Sequence, residues 1–431
     1  MYSFNKAETT TSSTIQVTTE SSFPDDDCDN YTIDFDYYGE EFLLSYTRSF
    51  DVFEMVILPV IALVGLSANS SFLFVIWRIR SMRTNLNKYL IALAMVDISL
   101  FVFGLSERYL RYASPIIFDY HSMILGLAGC PFNLSIEVPY YSSLMLVTLI
   151  SFERYYAVCK PLSHRTLIGG KRTRRQIIGA CALAVFFVLL LVPYRGVSTW
   201  VCVTYPQNGK YDHFPRKVIL CNSDNRYVVT ISQVIQALPF YTTLVASSYF
   251  YIRIVYVLMH WEKSKPAEMS NGIVNETYQN ETLTSSSSAT MTYCASNEMV
   301  SSVPSISSTL VSEDFSSKDN ILSDISKGND ISIASQQLRK KSRANQRAVT
   351  KMLVINGCVF FFCNSPIQFY FTLSSILKLF EVNLIASDAV LTILQVLLYA
   401  NSAINPFIYG VTNASYRAAF KKALLPWLNK N

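Results

Sequence analysis

The chain has 431 residues, of which 51% are hydrophobic and only 16% charged. A water-soluble protein of this size carries more charge, so the composition excludes a soluble enzyme and indicates a membrane protein. The net charge of +5 is spread between apolar stretches and not gathered in one patch, which argues against nucleic acid as a partner.

Residues 1–51 are rich in Ser and Thr and then acidic, with Asp25, Asp26, Asp27, Asp29, Asp34, Asp36, Glu40 and Glu41, and are expected to be a disordered tail. The opening MYSFNKAETTTSST lacks the basic and apolar regions of a cleaved signal peptide, so the first apolar span is expected to direct insertion. Asn30-Tyr31-Thr32 is a glycosylation sequon in this tail, whereas Asn69-Ser70-Ser71 lies within a span where no glycosyltransferase reaches.

Seven apolar stretches follow: Val52 to Trp77, Asn87 to Tyr109, Leu125 to Val158, Ile177 to Tyr194, Val228 to Met259, Val349 to Leu377 and Ala386 to Tyr409. Each is long enough to cross ~30 Å of hydrocarbon as a helix. The expected fold class is therefore all-α, a seven-helix transmembrane bundle, with spans one to five in residues 52–261 and spans six and seven in 339–410. Arg78, Arg80, Arg83 and Lys88 follow the first span, and Lys160, Arg165, Lys171, Arg172, Arg174 and Arg175 follow the third. Basic loops stay in the cytoplasm, which puts the N-terminus outside and the C-terminus inside.

Residues 262–338 turn to Ser, Thr, Asn and acids, with nothing periodic to bury, and read as a disordered third cytoplasmic loop. The loop serves as a spacer or, through its hydroxyls, as a phosphate acceptor. In residues 411–431, Tyr416, Phe420, Leu424 and Leu428 share one face and Arg417, Lys421 and Lys422 another, the pattern of a helix lying on the inner lipid surface. Of the nine cysteines, Cys28, Cys130, Cys202 and Cys221 fall outside, where disulfides persist. Cys159, Cys181, Cys294, Cys358 and Cys363 fall in spans or cytoplasmic loops, where thiols stay reduced.

Polar groups within the spans cost roughly 2.5 to 3.5 kcal/mol each on insertion scales, so each requires a partner or a wet cavity. Asn69, Asp97, Ser143, Asn401 and Asn405 can all face one interior site in a bundle, with Asp97 as its only charge. A carboxylate among hydroxyl and amide oxygens suits a small cation; the alternative is an interhelical hydrogen-bond cluster without an ion. At the inner end of the third span stand Glu153, Arg154 and Tyr155, paired with each other or reserved for a partner.

The ordered set of motifs resembles the rhodopsin-like G-protein-coupled receptors: Asn69 after Gly65, Leu93, Ala94 and Asp97, Glu153-Arg154-Tyr155, Pro161-Leu162, Pro239, Pro366 and Asn405-Pro406-Phe407-Ile408-Tyr409. The resemblance covers all seven spans. It implies ligand binding outside, an outward swing of the sixth span, and nucleotide exchange on a heterotrimeric G protein. Glu153, Arg154, Tyr155, Phe360, Pro366, Asn405, Pro406 and Tyr409 carry that activation. Arrestin and receptor kinases are implied partners through the third cytoplasmic loop. A sodium ion held by Asp97, Ser143, Asn401 and Asn405 is implied at rest, with no other cofactor, and Arg154 is implied to be held by Glu153. A disulfide from Cys130 to Cys221 is also implied, with Cys202 as rival for Cys130; Cys28 and Cys202 are then left to pair with each other. Trp200 to Tyr205 and Lys217 to Leu220 alternate like two strands of a hairpin, whose returning strand favours Cys221.

Ile136 replaces the aspartate of amine receptors and Tyr399 the lysine of opsins, which excludes amine and retinal ligands. Arg80-Ser81-Met82-Arg83-Thr84, Asn87-Lys88-Tyr89-Leu90, Ala157 to Leu162 and Phe362-Cys363-Asn364 resemble the invertebrate neuropeptide receptors, nearest the FMRFamide-receptor-like branch. There are departures from the family pattern. Asn364 stands where the sixth span carries a tryptophan, the fourth span has none, and Gln346 replaces an acid near the inner end of the sixth span. Ser247 replaces a fifth-span tyrosine unless Tyr249 or Tyr251 takes its role.

The expected ligand is a cationic peptide, such as one ending in Arg-Phe-amide, drawn by the acidic tail. Glu137 lies seventeen residues outward of Arg154, about 25 Å, and Glu107 ten outward of Asp97, about 15 Å. With Tyr140 and Tyr141 these acids are candidate ligand contacts, unless Arg108, Arg111 or Arg195 already neutralises them. A transporter or channel is the competing class, but no repeat relates the two halves. Zinc, nucleophile-elbow and phosphate-loop motifs are missing, so no enzyme is expected.

Overall fold

The computed structural model describes residues 32–34, 52–113, 125, 128–167, 169–196, 199–205, 207, 209, 212, 216–221, 226–263, 321–380, 382 and 388–424. Asn30, Cys28 and Cys294 lie outside the described residues. Strand β1 (Thr32–Asp34) is followed by a π turn at Phe53–Ile57 and then by α1 (Leu58–Arg78) and α2 (Asn85–Ala113). Short α3 (Gly129–Leu134) runs through a turn into α4 (Glu137–Cys159), and together they make the third span. Next come α5 (Pro161–Leu167), α6 (Gly170–Arg195), the strands β2 (Thr199–Thr204) and β3 (Lys217–Leu220), and α7 (Arg226–Lys263). The chain closes with α8 (Ile321–Leu379), α9 (Asp388–Thr412) and α10 (Ala414–Leu424).

Among the described residues, seven helices are long and apolar enough to cross a membrane, which establishes the seven-helix bundle. Helices meet this demand because lipid offers no hydrogen bonds, so every backbone group must be satisfied within the segment. The third span is the hub, packed on the second, fourth, fifth and sixth, and 61% of its apolar window is buried against 17% for the fourth. Polar side chains of the third span therefore face other helices, whereas most of the fourth is left to lipid.

Two expectations about unstructured segments are corrected. Helix α8 begins at Ile321, well inside the loop expected to be disordered over 262–338. Adding a residue to an existing helix gains one hydrogen bond for each residue fixed, so the sixth span extends through sequence that has no periodic face of its own. The tail contributes β1, which pairs parallel with β2 and sets Thr32 opposite Cys202. Strands β2 and β3 form the expected antiparallel hairpin, with Thr199 opposite Leu220.

Cys130 is bonded to Cys221, tying the outer end of the third span to the hairpin. Cys202 is also disulfide-bonded, while Cys28, its expected partner, lies outside the described residues. Close approaches set the helix spacing. A Cβ at Gly65 would collide with the Phe101 ring of the second span and meet Ala403 of the seventh at 3.2 Å.

Candidate functional site

Three polar centres lie along the bundle, one near the outer mouth, one at mid-depth and one at the inner mouth. The outer centre begins with Glu137, in the first turn of α4. Gln236 of the fifth span donates from Nε2 to Glu137 Oε1 at 2.8 Å, and Arg195 at the end of α6 reaches the same oxygen at 3.5 Å. Arg195 also donates to Gln236 Oε1 at 3.2 Å, closing a triangle of spans three, four and five. One turn inward the Tyr140 hydroxyl accepts from Gln368 Nε2 of the sixth span at 2.9 Å, and Tyr141 donates to the Gln236 carbonyl at 3.3 Å. Gln233, Gln236, Ala237, Gln368, Phe371 and Thr372 line a cleft beside them.

The geometry brings Glu137, Tyr140 and Tyr141 together but leaves Glu107 elsewhere, in the outer part of α2. Glu107 is paired with Arg108 at 2.9 Å. Of the two alternatives for these acids, the geometry shows the paired one: Glu107 with Arg108 and Glu137 with Arg195. Burial makes this pairing necessary: a lone carboxylate in a dry bundle is too costly to persist. The amides of Gln233, Gln236 and Gln368 were missed in the sequence, although polar residues inside apolar spans were the signal that exposed Asp97.

At mid-depth, Asp97 is fully buried and accepts from Asn405 Nδ2 at 2.7 Å. Ser143, Asn401 and Asn405 are buried with it. Among the described residues, Asp97 Oδ1, Ser143 Oγ, Asn401 Oδ1 and Asn405 Oδ1 have no hydrogen-bond partner, so the donor set is oxygen-rich and short of positive charge. Those residues fit a compact hard cation such as sodium, which binds oxygen ligands. Asn69 makes an interhelical hydrogen bond. Pro406 has no N–H, which frees the Ser402 carbonyl four residues earlier, and Asn69 Nδ2 donates to it at 3.0 Å. Asn69 thereby ties the first span to the seventh at its proline.

At the inner mouth, the expected pairing of Glu153 with Arg154 is corrected. Glu153 accepts from Arg172 at 3.1 Å and from Gln176 at 3.2 Å, with His164 Nε2 at 3.6 Å. Successive residues on a helix point about 100° apart, so Glu153 faces the fourth span while Arg154 faces into the bundle. Burial lowers the His164 pKa below 6.5, so above that pH the imidazole is neutral and Arg172 is the counter-ion. No carboxylate among the described residues lies within ion-pair distance of Arg154, and its Nε has no partner. Tyr416 of α10 is buried, which pushes its phenol above the ordinary range; it stays neutral and donates to Asn87.

Tyr155 turns away from this centre and packs on Tyr249 and Phe250 of the fifth span, at 6.2 and 5.4 Å between ring centroids. Tyr409 packs on Phe72 and Tyr416, and Phe360 is buried beside Phe361. Pro366 stands inside α8 and Pro406 inside α9. Asn364 donates to the Phe360 carbonyl at 2.7 Å, satisfying its own helix instead of offering a ring. Ser247 is buried on Thr148 at 3.1 Å, whereas Tyr251 turns inward and Tyr249 is 53% exposed. Tyr251 lies over Gly357 so closely that a Cβ there would overlap its phenol.

The chain is similar to the thyrotropin-releasing hormone receptor of Gallus gallus, 25% identical over 391 residues that cover 87% of this chain and 79% of that protein. The neuromedin U receptor homolog nmur-2 of Caenorhabditis elegans is 24% identical over 86% of this chain and 79% of its own length. Neuromedin-U receptor 1 of Homo sapiens is 32% identical over 139 residues, 32% of this chain and 31% of that protein. The family model for the 7 transmembrane receptor (rhodopsin family) matches residues 68–409, the run from Ala68 to Tyr409 that holds Glu137, Asp97 and Arg154, and the chain belongs to that family.

Proposed function

We propose that this chain is a plasma-membrane receptor, N-terminus outside, that binds an extracellular peptide and drives nucleotide exchange on a heterotrimeric G protein. The observation that carries the reading is the outer polar centre, where Glu137, Arg195, Gln236, Tyr140 and Gln368 converge from four spans. Four helices meeting at one group of polar side chains let a ligand change their relative placement. The similarity to receptors named for thyrotropin-releasing hormone and neuromedin U supports a peptide agonist. The motif runs Arg80 to Thr84 and Asn87 to Leu90 support a place near the FMRFamide-receptor-like branch. The basic residues after the first and third spans support the orientation.

A cationic peptide enters this centre by exchange: its guanidinium takes Glu137 from Arg195, and the neutral amides of Gln233, Gln236 and Gln368 receive a terminal carboxamide. Sodium is held at rest by Asp97, Ser143, Asn401 and Asn405, and compensates a carboxylate that has no internal cation. Arg154 with Tyr409 receives the G protein, and the hydroxyls of the third cytoplasmic loop receive kinases and arrestin. The test is a library of amidated peptides applied to cells expressing the receptor, followed by exchange assays on purified G proteins. Glu137→Gln is expected to lower the potency of an arginine-bearing agonist at least tenfold and to leave its citrulline analogue unchanged. Full potency in both Glu137→Gln and Glu107→Gln, at equal surface expression, places recognition in the loops or tail instead.

A further inference from the structure

We propose that Arg172, on the fourth span, is a positioning residue for G-protein coupling: it takes the Glu153 carboxylate and so leaves the Arg154 guanidinium uncommitted at the inner mouth. The inference rests on the receptor reading above and adds a residue to it. One carboxylate faces two arginines, and the arrangement shows which one has it. Arg172 reaches Glu153 Oε1 at 3.1 Å. Gln176 donates to the same oxygen at 3.2 Å and is itself held by the Tyr89 hydroxyl at 2.7 Å. His164 approaches the other oxygen at 3.6 Å from the second cytoplasmic loop. Spans two, three and four and helix α5 are thus joined through Glu153.

Arg154 is left with phenols for company. Its electrostatic neighbours are Tyr416, Glu153 and Tyr89, and the Tyr416 and Tyr89 hydroxyls already donate to Asn87 and Gln176. The inner part of the sixth span offers no acid, since Gln346 stands between Asn345 and Arg347 and Lys351 follows. Removing Arg172 therefore does not merely delete a contact. It releases the one carboxylate that neighbours Arg154 among the described residues, and a half-buried guanidinium without a counter-ion is its strongest competitor.

The experiment uses the full chain in lipid nanodiscs, with basal GTPγS exchange on purified G proteins as the readout, so that no agonist is required. Arg172→Gln is expected to reduce exchange at least threefold, because Glu153 swings to Arg154. Arg172→Lys, which keeps the charge, retains exchange. Glu153→Gln/Arg172→Gln regains it, because no carboxylate remains to sequester Arg154. Unchanged exchange in Arg172→Gln, or an equal loss in the double variant, overturns the proposal. The same variants are unfolded thermally as a double-mutant cycle. A loss in the double variant no greater than the larger single loss establishes the pair, and strictly additive losses overturn it. If wild type drives no exchange on any G protein, the receptor reading fails while the unfolding cycle still decides the pairing.

Discussion

The acids at the two ends of the third span are each answered by an arginine of the fourth, whereas Asp97, at mid-depth on the second, is surrounded by amides and hydroxyls alone. Glu137 meets Arg195 at the end of α6 and Glu153 meets Arg172 near its start. Antiparallel neighbours make this possible, because the two ends of one helix lie beside the opposite ends of the other. Long arginine side chains reach such sites from helix ends while their stems stay in apolar surroundings. At mid-depth no such reach exists, and a permanent cation there carries the highest insertion penalty. The two ends are therefore closed by arginines of the chain itself, and the middle has no cationic side chain of its own among the described residues.

The largest effect is expected at the outer pair. Arg195→Leu leaves the partly buried Glu137 with one amide and no cation, and should lower stability by about 3 kcal/mol, read as the unfolding midpoint in nanodiscs. Adding Glu137→Gln to that variant should recover most of the loss. A smaller change is expected at mid-depth. Raising sodium to ten times its dissociation constant should stabilise wild type by roughly 1.4 kcal/mol over the same concentration of a bulky organic cation. Asp97→Asn should abolish that difference; an equal response to sodium in both proteins would reduce the centre to a hydrogen-bond cluster.

The smallest effect is expected at His164, which sits by Glu153 but is not its counter-ion. His164→Gln should change stability by no more than about 0.5 kcal/mol at neutral pH. Because burial lowers the His164 pKa from 6.5, the folded state prefers the neutral ring. Stability is then fully present above pH 6.5 and falls below it, where the unfolded chain takes the proton first. The variant should lose that acid sensitivity. A wild type that gains stability on acidification would instead make His164 a working counter-ion.

Much of this molecule was legible in its residues because a bilayer imposes one simple rule. Hydrocarbon tolerates only long apolar helices, so the seven spans and the burden on Asp97, Glu153 and Arg154 could be read without coordinates. The hairpin was legible from alternation and its disulfide from family resemblance, since both repeat local patterns. Partner choice was not legible. Whether Glu153 serves Arg154 or Arg172 depends on how α4 is rotated against α6, and 100° per residue turns adjacent side chains to different neighbours. The strand at Thr32–Asp34 was equally hidden, because three residues gain a structure only when β2 presents an open edge. The inward turn of Tyr251 required a glycine on another helix, Gly357, at the same depth. By itself the sequence determined the fold class and which groups could not be left alone in lipid, since both follow from transfer free energies that belong to single residues. Only the tertiary structure decided who satisfies whom, because that is a property of pairs brought together by helix rotation and depth.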